Sequence, residues 1–245
     1  MLLADTVAKR FRTPAGVLVA LDGVSLAVAP GSRLGLAGRS GSGKSTLARV
    51  LALLLAPDEG VVRVDGEEVR RYGLRAPQEL RRRVQLVWQS PRTAADPRVR
   101  LRDLVLEPLL TGAGERPDPS ARAAALERWA PRVGLTGELL DRFPHEVSDG
   151  QLQRACLARA LVVEPRYLVC DEPTSMLDVS TQAALLRAIA DVQRETGLGV
   201  LLITHDLALA RHWCQGVIHI EQGVITPVTS AGAGEAGRRG AAVGR

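Results

Sequence analysis

The stretch GRSGSGKST, residues 38–46, gathers glycines, hydroxyl side chains and one lysine in the spacing GxxxxGK[ST]. Gly38, Gly41 and Gly43 let the backbone N–H groups around Arg39, Ser40 and Ser42 turn inward as a nest for an anion, and a helix beginning at Lys44 adds partial positive charge. Lys44 can reach the outer phosphates of a nucleotide, and the Ser45 hydroxyl can ligate Mg2+. The chain uses arginine almost to the exclusion of lysine, Lys9 and Lys44 being its two lysines. A slender point charge, unlike a planar guanidinium, can thread a glycine loop. A second group lies in YLVCDEP, residues 167–173, where an apolar run leads straight into Asp171 and Glu172. Two carboxylates at the end of a buried strand can divide the work, Asp171 holding Mg2+ through water and Glu172 polarising an attacking water. His205 follows the apolar run of LLITHD as a γ-phosphate contact, and Gln89 follows VQLVW.

Such residues converge only if the apolar runs before them share one sheet. RLGLA (33–37), VQLVW (84–88), YLVC (167–170) and VLLI (200–203) read as strands, several of them buried, and VSLAV (24–28) as a strand ending at Pro30-Gly31. Helical patterns cover residues 44–56, 121–130, 151–163 and 181–195. The alternation predicts an α/β core with a largely parallel sheet covered on both faces, whose ligands bind beyond the C-terminal strand ends. From about residue 90 to 163 the alternation stops and Pro and Gly breaks appear, as expected of a helical insert. The Gly/Ala-rich residues 229–245 lack periodicity and are expected to be disordered.

Composition narrows the rest. A 245-residue chain with 46% hydrophobic residues can build a substantial core. Its longest apolar run, residues 50–56, falls well short of the ~18 residues of a membrane span, and Asp5 interrupts the start before a signal-peptide core could form. Cys156, Cys170 and Cys214 have neither bridge nor zinc spacing and read as buried thiols of a reducing cytosol. The net charge of +5 reads as a solvated arginine-rich surface: aromatics make up 3% and do not alternate with arginine as in stacking platforms, so no nucleic-acid partner is expected.

The ordered set GRSGSGKST, Gln89, VSDGQ (147–151), YLVCDEP, SMLD (175–178) and His205 resembles the ATPase subunit of ABC transporters over about residues 3–228. The resemblance implies a P-loop NTPase core with an N-terminal antiparallel β subdomain (1–89 and 164–228) and an inserted helical subdomain carrying the signature VSDGQ (90–163). It implies that Lys44, Ser45 and Thr46 bind phosphate and Mg2+, that Gln89 senses the metal and the membrane partner, that Glu172 is the general base and that His205 is the switch histidine. Phe11 stands where the family places an aromatic ring against adenine. Two such subunits would dock head to tail, each ATP lying between one phosphate loop and the other subunit's Ser148, Gly150 and Gln151, with Asp178 crossing between them. The motion would pass to separate permease subunits at the cytoplasmic face of the membrane, and an extracytoplasmic binding protein would take part indirectly.

WQSPRTAADPRVRLRDLVLEPL (88–109) and GQLQRACLARALVVEPRYLVCDEPTSMLD (150–178) resemble the peptide/nickel import group, leaning toward the nickel type. A catalytically weak ATP-binding partner and a non-transport ABC ATPase are the alternatives. The family signature is LSGGQ; here Val147 replaces Leu and Asp149 replaces the first Gly. A carboxylate aimed at a γ-phosphate ~4 Å away would repel it by about 4 kcal/mol at a moderate dielectric. The expectation is therefore that Ser148 caps the helix and Asp149 faces outward from its first turn, where the helix dipole favours an acid.

Overall fold

The apolar runs before Gly38, Gln89, Glu172 and His205 are neighbours in one sheet. The computed structural model describes residues 1–110, 117–175 and 177–227, and the expected disordered segment 229–245 lies outside them. Along the chain come β1 (Leu2–Thr13), β2 (Gly16–Val28), β3 (Arg33–Ala37), α1 (Lys44–Leu51), β4 (Glu59–Val64), β5 (Glu67–Glu68), α2 (Gln78–Arg83) and β6 (Val84–Val87). A helical stretch follows: α3 (Pro91–Ala94), α4 (Leu101–Leu110), α5 (Pro119–Trp129), α6 (Gly137–Leu140) and α7 (Asp149–Leu161). The chain then returns to alternation with β7 (Tyr167–Asp171), α8 (Val179–Thr196), β8 (Gly199–Thr204), α9 (Leu207–Trp213), β9 (Gly216–Glu221) and β10 (Val224–Pro227).

One sheet has the order β10-β9-β3-β8-β7-β6 and is parallel except where β10 runs against β9. The other, β2-β1-β4-β5, is antiparallel. Register explains the convergence of the polar residues. Ala37 pairs with Thr204, Ile203 with Asp171 and Cys170 with Val87, so the next residues of each strand emerge along one C-terminal edge. This is where open α/β sheets hold their ligands.

Strand alternation divides the interior into two clusters. Leu168 and Cys170 of β7 and Val200 and Leu202 of β8 pack with Leu101, Leu104, Leu152, Leu157 and Leu161 of the helical stretch. Tyr167, Val169, Leu201 and Ile203, facing the other way, pack with Leu47 and Leu51 of α1 and with β1, β2 and β4. The two strands thus form a wall common to both interiors. Cys156 and Cys170 are buried as expected, whereas Cys214 is only partly so; burial pushes the Cys156 thiol up to about 11.

Helix ends depart from periodicity for local reasons. Asp118, Ser148 and Asp178 cap α5, α7 and α8, each accepting a hydrogen bond from the backbone N–H three residues on, so each helix starts two residues before its apolar pattern does. The pattern over 44–56 yields a helix ending at Leu51, because Leu53 adopts φ 61° despite its apolar side chain. Among the described residues, no helix is long and apolar enough to cross a membrane.

Candidate active site

Backbone geometry builds the first half of the site. Gly43 has φ 106°, and a Cβ there would stand 2.3 Å from the Ala20 carbonyl oxygen; a Cβ on Gly38 would stand 2.4 Å from that of Ile220. Both clashes are with backbone, so these two positions of the loop between β3 and α1 accept only glycine. Lys44 follows, 5% exposed, its ammonium folded over the loop to donate to the carbonyls of Gly38 at 2.9 Å and Arg39 at 2.7 Å. The Ser42 hydroxyl is buried beside them without a partner among the described residues. A buried orphan donor inside a glycine cradle suits an anion that brings acceptor oxygens. Arg39, Ser40 and Gly41 are exposed on the outer side of the loop, and Thr46 lies half-buried in the first turn of α1.

The carboxylates come from the end of β7. In an extended strand Asp171 and Glu172 would point to opposite faces, but Glu172 has φ 46°, an uncommon conformation for a side chain of its size. Its N–H donates to the Ile203 carbonyl at 3.0 Å, pinning the turn to β8. Asp171 Oδ1 accepts from the Ser45 hydroxyl at 3.2 Å. Burial raises the Asp171 carboxyl above its usual range, partly offset by the Ser45 hydrogen bond. Glu172 Oε1 lies 3.6 Å from Lys44 Nζ, while Oε2 accepts from Gln89 Nε2 at 3.2 Å and lies 3.2 Å from His205 Nδ1. One carboxylate at the end of β7 therefore meets the first residue of α1 and residues just beyond β6 and β8. Lys44, Ser45, Gln89, Asp171, Glu172 and His205, proposed separately from sequence, share one cluster.

The remaining sequence-derived candidates lie elsewhere. Phe11, half-exposed, pairs with Leu18 across the β1–β2 hairpin, with Lys9 Nζ 5.8 Å from its ring centre. Ser148 and Gln151 close a reciprocal cap on α7: Ser148 Oγ accepts from Gln151 N–H at 3.2 Å and Gln151 Oε1 accepts from Ser148 N–H at 3.0 Å. The Gln151 amide oxygen is thus turned onto its own backbone. A Cβ on Gly150 would stand 2.7 Å from Thr181 Cγ2, so a side chain there fits only if that methyl gives way. Asp178 accepts from the Thr181 N–H at 3.0 Å and from the hydroxyls of Ser180 at 2.6 Å and Thr181 at 2.7 Å, which hold its carboxyl well below the usual range.

Asp149 occupies the first turn of α7 but does not simply face outward. Its Oδ1 accepts from Arg92 Nε at 2.7 Å, while Arg92 Nη1 and Nη2 donate to the carbonyls of Pro144 at 3.0 Å and Val147 at 3.1 Å. Further along α7, Gln153 Nε2 donates to the Trp88 carbonyl at 3.0 Å and Arg159 Nη1 to that of Ala94 at 2.8 Å. Residues 88–94, with Gln89 among them, are therefore fastened to α7 at three points. Arg92 and Thr181 escape a reading of the sequence because each acts across the fold: Arg92 stands 57 positions from Asp149, and Thr181 meets Gly150 from a different helix.

Comparison with known proteins agrees with this arrangement. The family model described as ABC transporter matches residues 21–175, more than half of the chain. A putative peptide import ATP-binding protein of Brucella ovis is 38% identical over 233 residues, covering 94% of this chain and 72% of the relative. The nickel import ATP-binding protein NikE of Rhodospirillum rubrum is 39% identical over 241 residues, covering 94% and 86%. Among solved structures, the dimeric post-hydrolysis state of the ATP-binding cassette MJ0796 bound to ADP and Pi matches with a TM-score of 0.82 at 26% identity, covering 94% of this chain and 100% of that one. Strand order, the residues gathered at one sheet edge and these relationships lead to the same conclusion: the chain belongs to the ABC transporter family.

Proposed function

We propose that this chain is the ATP-binding and ATP-hydrolysing subunit of an importer of the peptide/nickel class. The observation that carries the reading is the Glu172 carboxylate, held at once near Lys44, Gln89 and His205 and next to the Ser45–Asp171 pair. Lys44, the loop N–H groups from Gly38 to Thr46 and the Ser42 hydroxyl would bind the phosphates of ATP. Phe11 would contact the adenine. Ser45, Asp171 and Gln89 would hold Mg2+, which when bound neutralises charge on the transferring phosphoryl group.

Glu172 accepts a proton from the attacking water as the bond to the leaving ADP breaks, releasing inorganic phosphate. His205 contacts the same phosphoryl group and ties it to Glu172. The strained turn at Glu172 aims the carboxylate, a cost of about 1–3 kcal/mol that the bond to β8 offsets in part.

Ser148, Gly150, Gln151 and Asp178 would act on the nucleotide of a second ATPase subunit docked head to tail, identical or related. The dimeric post-hydrolysis cassette structure supports this pairing. Residues 90–163 would form the helical signature subdomain, and residues 1–89 with 164–228 the ATPase core. A groove of about 340 Å³ lined by Arg81, Gln85, Trp88, Glu107 and Arg159 lies beside the Gln89 segment and offers permease subunits a place to dock. The chain would then sit peripherally on the cytoplasmic face of the membrane, with an extracytoplasmic binding protein delivering cargo. The importer names of the relatives support both transport direction and cargo class.

The test is ATPase activity of the assembled transporter purified through this chain. Lys44→Ala and Glu172→Gln each abolish the share contributed by this site, and loss of ATP binding accompanies Lys44→Ala alone. Full activity in Glu172→Gln would overturn the reading.

A further inference from the structure

We propose that Arg92 is a positioning residue that makes an acidic signature compatible with ATP hydrolysis. This inference rests on the head-to-tail arrangement proposed above.

Asp149 puts a negative charge between Ser148 and Gly150, the two groups that would face the other subunit's phosphates. The Arg92 guanidinium draws that carboxylate back toward its own chain at 2.7 Å and spends its two remaining nitrogens on the carbonyls of Pro144 and Val147. The three bonds have different consequences. Those to the carbonyls fasten the turn leading into α7, and any donor of similar length could replace them. The bond to Asp149 cancels a charge, and only a cation can do that.

Position gives the pair a second effect. Arg92 lies three residues beyond Gln89, on the segment that Gln153 and Arg159 also bind. The signature charge is therefore neutralised by the segment leading away from the sensor of this chain's own nucleotide. If that segment shifts, Asp149 is uncovered toward the other subunit's nucleotide, so the two sites are coupled through one ion pair. Both partners are partly exposed, Arg92 at 47% and Asp149 at 42%, so the pair can open without unfolding anything.

The test uses the assembled transporter purified through this chain, comparing the parent, Arg92→Gln, Arg92→Gln with Asp149→Asn, and Glu172→Gln. Glutamine keeps an amide that can donate to the carbonyls, and a thermal melt of each variant confirms folding. The expected result is that Arg92→Gln lowers ATPase turnover and raises the ATP concentration for half-maximal rate, about tenfold in the ratio of the two. Neutralising Asp149 in the same chain should restore most of that loss. If Arg92→Gln behaves as the parent, or if Asp149→Asn fails to restore its loss, Arg92 is only a structural staple and the inference is overturned. If Glu172→Gln leaves hydrolysis unchanged, the underlying catalytic reading falls, and this inference with it.

Discussion

The phosphate loop and the signature turn both depend on glycine at a crowded point, but they are crowded by different things. Gly38 and Gly43 meet backbone carbonyls of β9 and β2, which cannot move without disturbing two sheets, whereas Gly150 meets one methyl group on Thr181. Lys44 is almost wholly buried in its cradle, while Asp149 is 42% exposed and held by a side chain from another segment. The first half of the site is set by strands; the second is set by side chains that substitutions can adjust. This explains how the signature can carry an off-pattern acid while the loop keeps every residue of its motif.

The largest effect expected from this contrast is chemical. Glu172→Gln should lower turnover by a hundredfold or more without weakening ATP binding, measured as single-turnover rate and nucleotide affinity. Next, Gly43→Ala should cost about 2–3 kcal/mol of stability, because the added carbon strains a positive-φ position against fixed backbone. No single compensating substitution should restore nucleotide binding. Gly150→Ala should cost only about 1 kcal/mol and be relieved by Thr181→Ser, which removes the methyl it meets. Thermal melts of the two glycine variants and the double variant would break the comparison if Gly150→Ala proved as damaging as Gly43→Ala. Ser148→Ala, which removes one half of the reciprocal cap, should cost about 1 kcal/mol in the same assay.

The smallest effect on stability concerns Asp171. Burial raises its carboxyl above the usual value of 3.8, so the folded state binds the proton more tightly than the unfolded chain does. Its contribution to stability is complete below that value and is lost as pH rises through the folded-state pKa. Asp171→Asn should therefore melt at a higher temperature than the parent at neutral pH, with the gap closing as pH falls toward 3.8, while Mg2+-dependent hydrolysis is lost. An unchanged gap across that range would show that burial of the charge is not what the parent tolerates.

Much of this was legible because short motifs happen to sit at strand ends. RLGLA before Gly38 and YLVC before Asp171 carry both the buried-strand signal and the reactive residue, so element and chemistry were read together. β4 offers no such pairing: EGVVRV partly alternates, but Gly60 breaks its first half and nothing reactive follows. α4 was obscured by Pro108 within it. In α5, α7 and α8 the helix starts two residues before the apolar pattern, because the capping residue and the first turn are polar or solvent-facing. The strained turn at Glu172 left no trace, since a positive φ at glutamate comes from the bond to β8 and from no local preference. Arg92 was equally silent, its meaning residing in a partner on a different helix.

The bonds running from Trp88, Arg92 and Ala94 to Gln153, Asp149 and Arg159 also constrain how this protein can change over time. Adding or deleting one residue between positions 149 and 159 would rotate everything beyond it by ~100° about the helix axis and carry a bonding side chain away from the segment it holds. Substitutions there are negotiable, one pair at a time, but length is not. Insertions compatible with function should therefore accumulate in the connections before the signature, leaving the interval from Asp149 to Arg159 a fixed ruler.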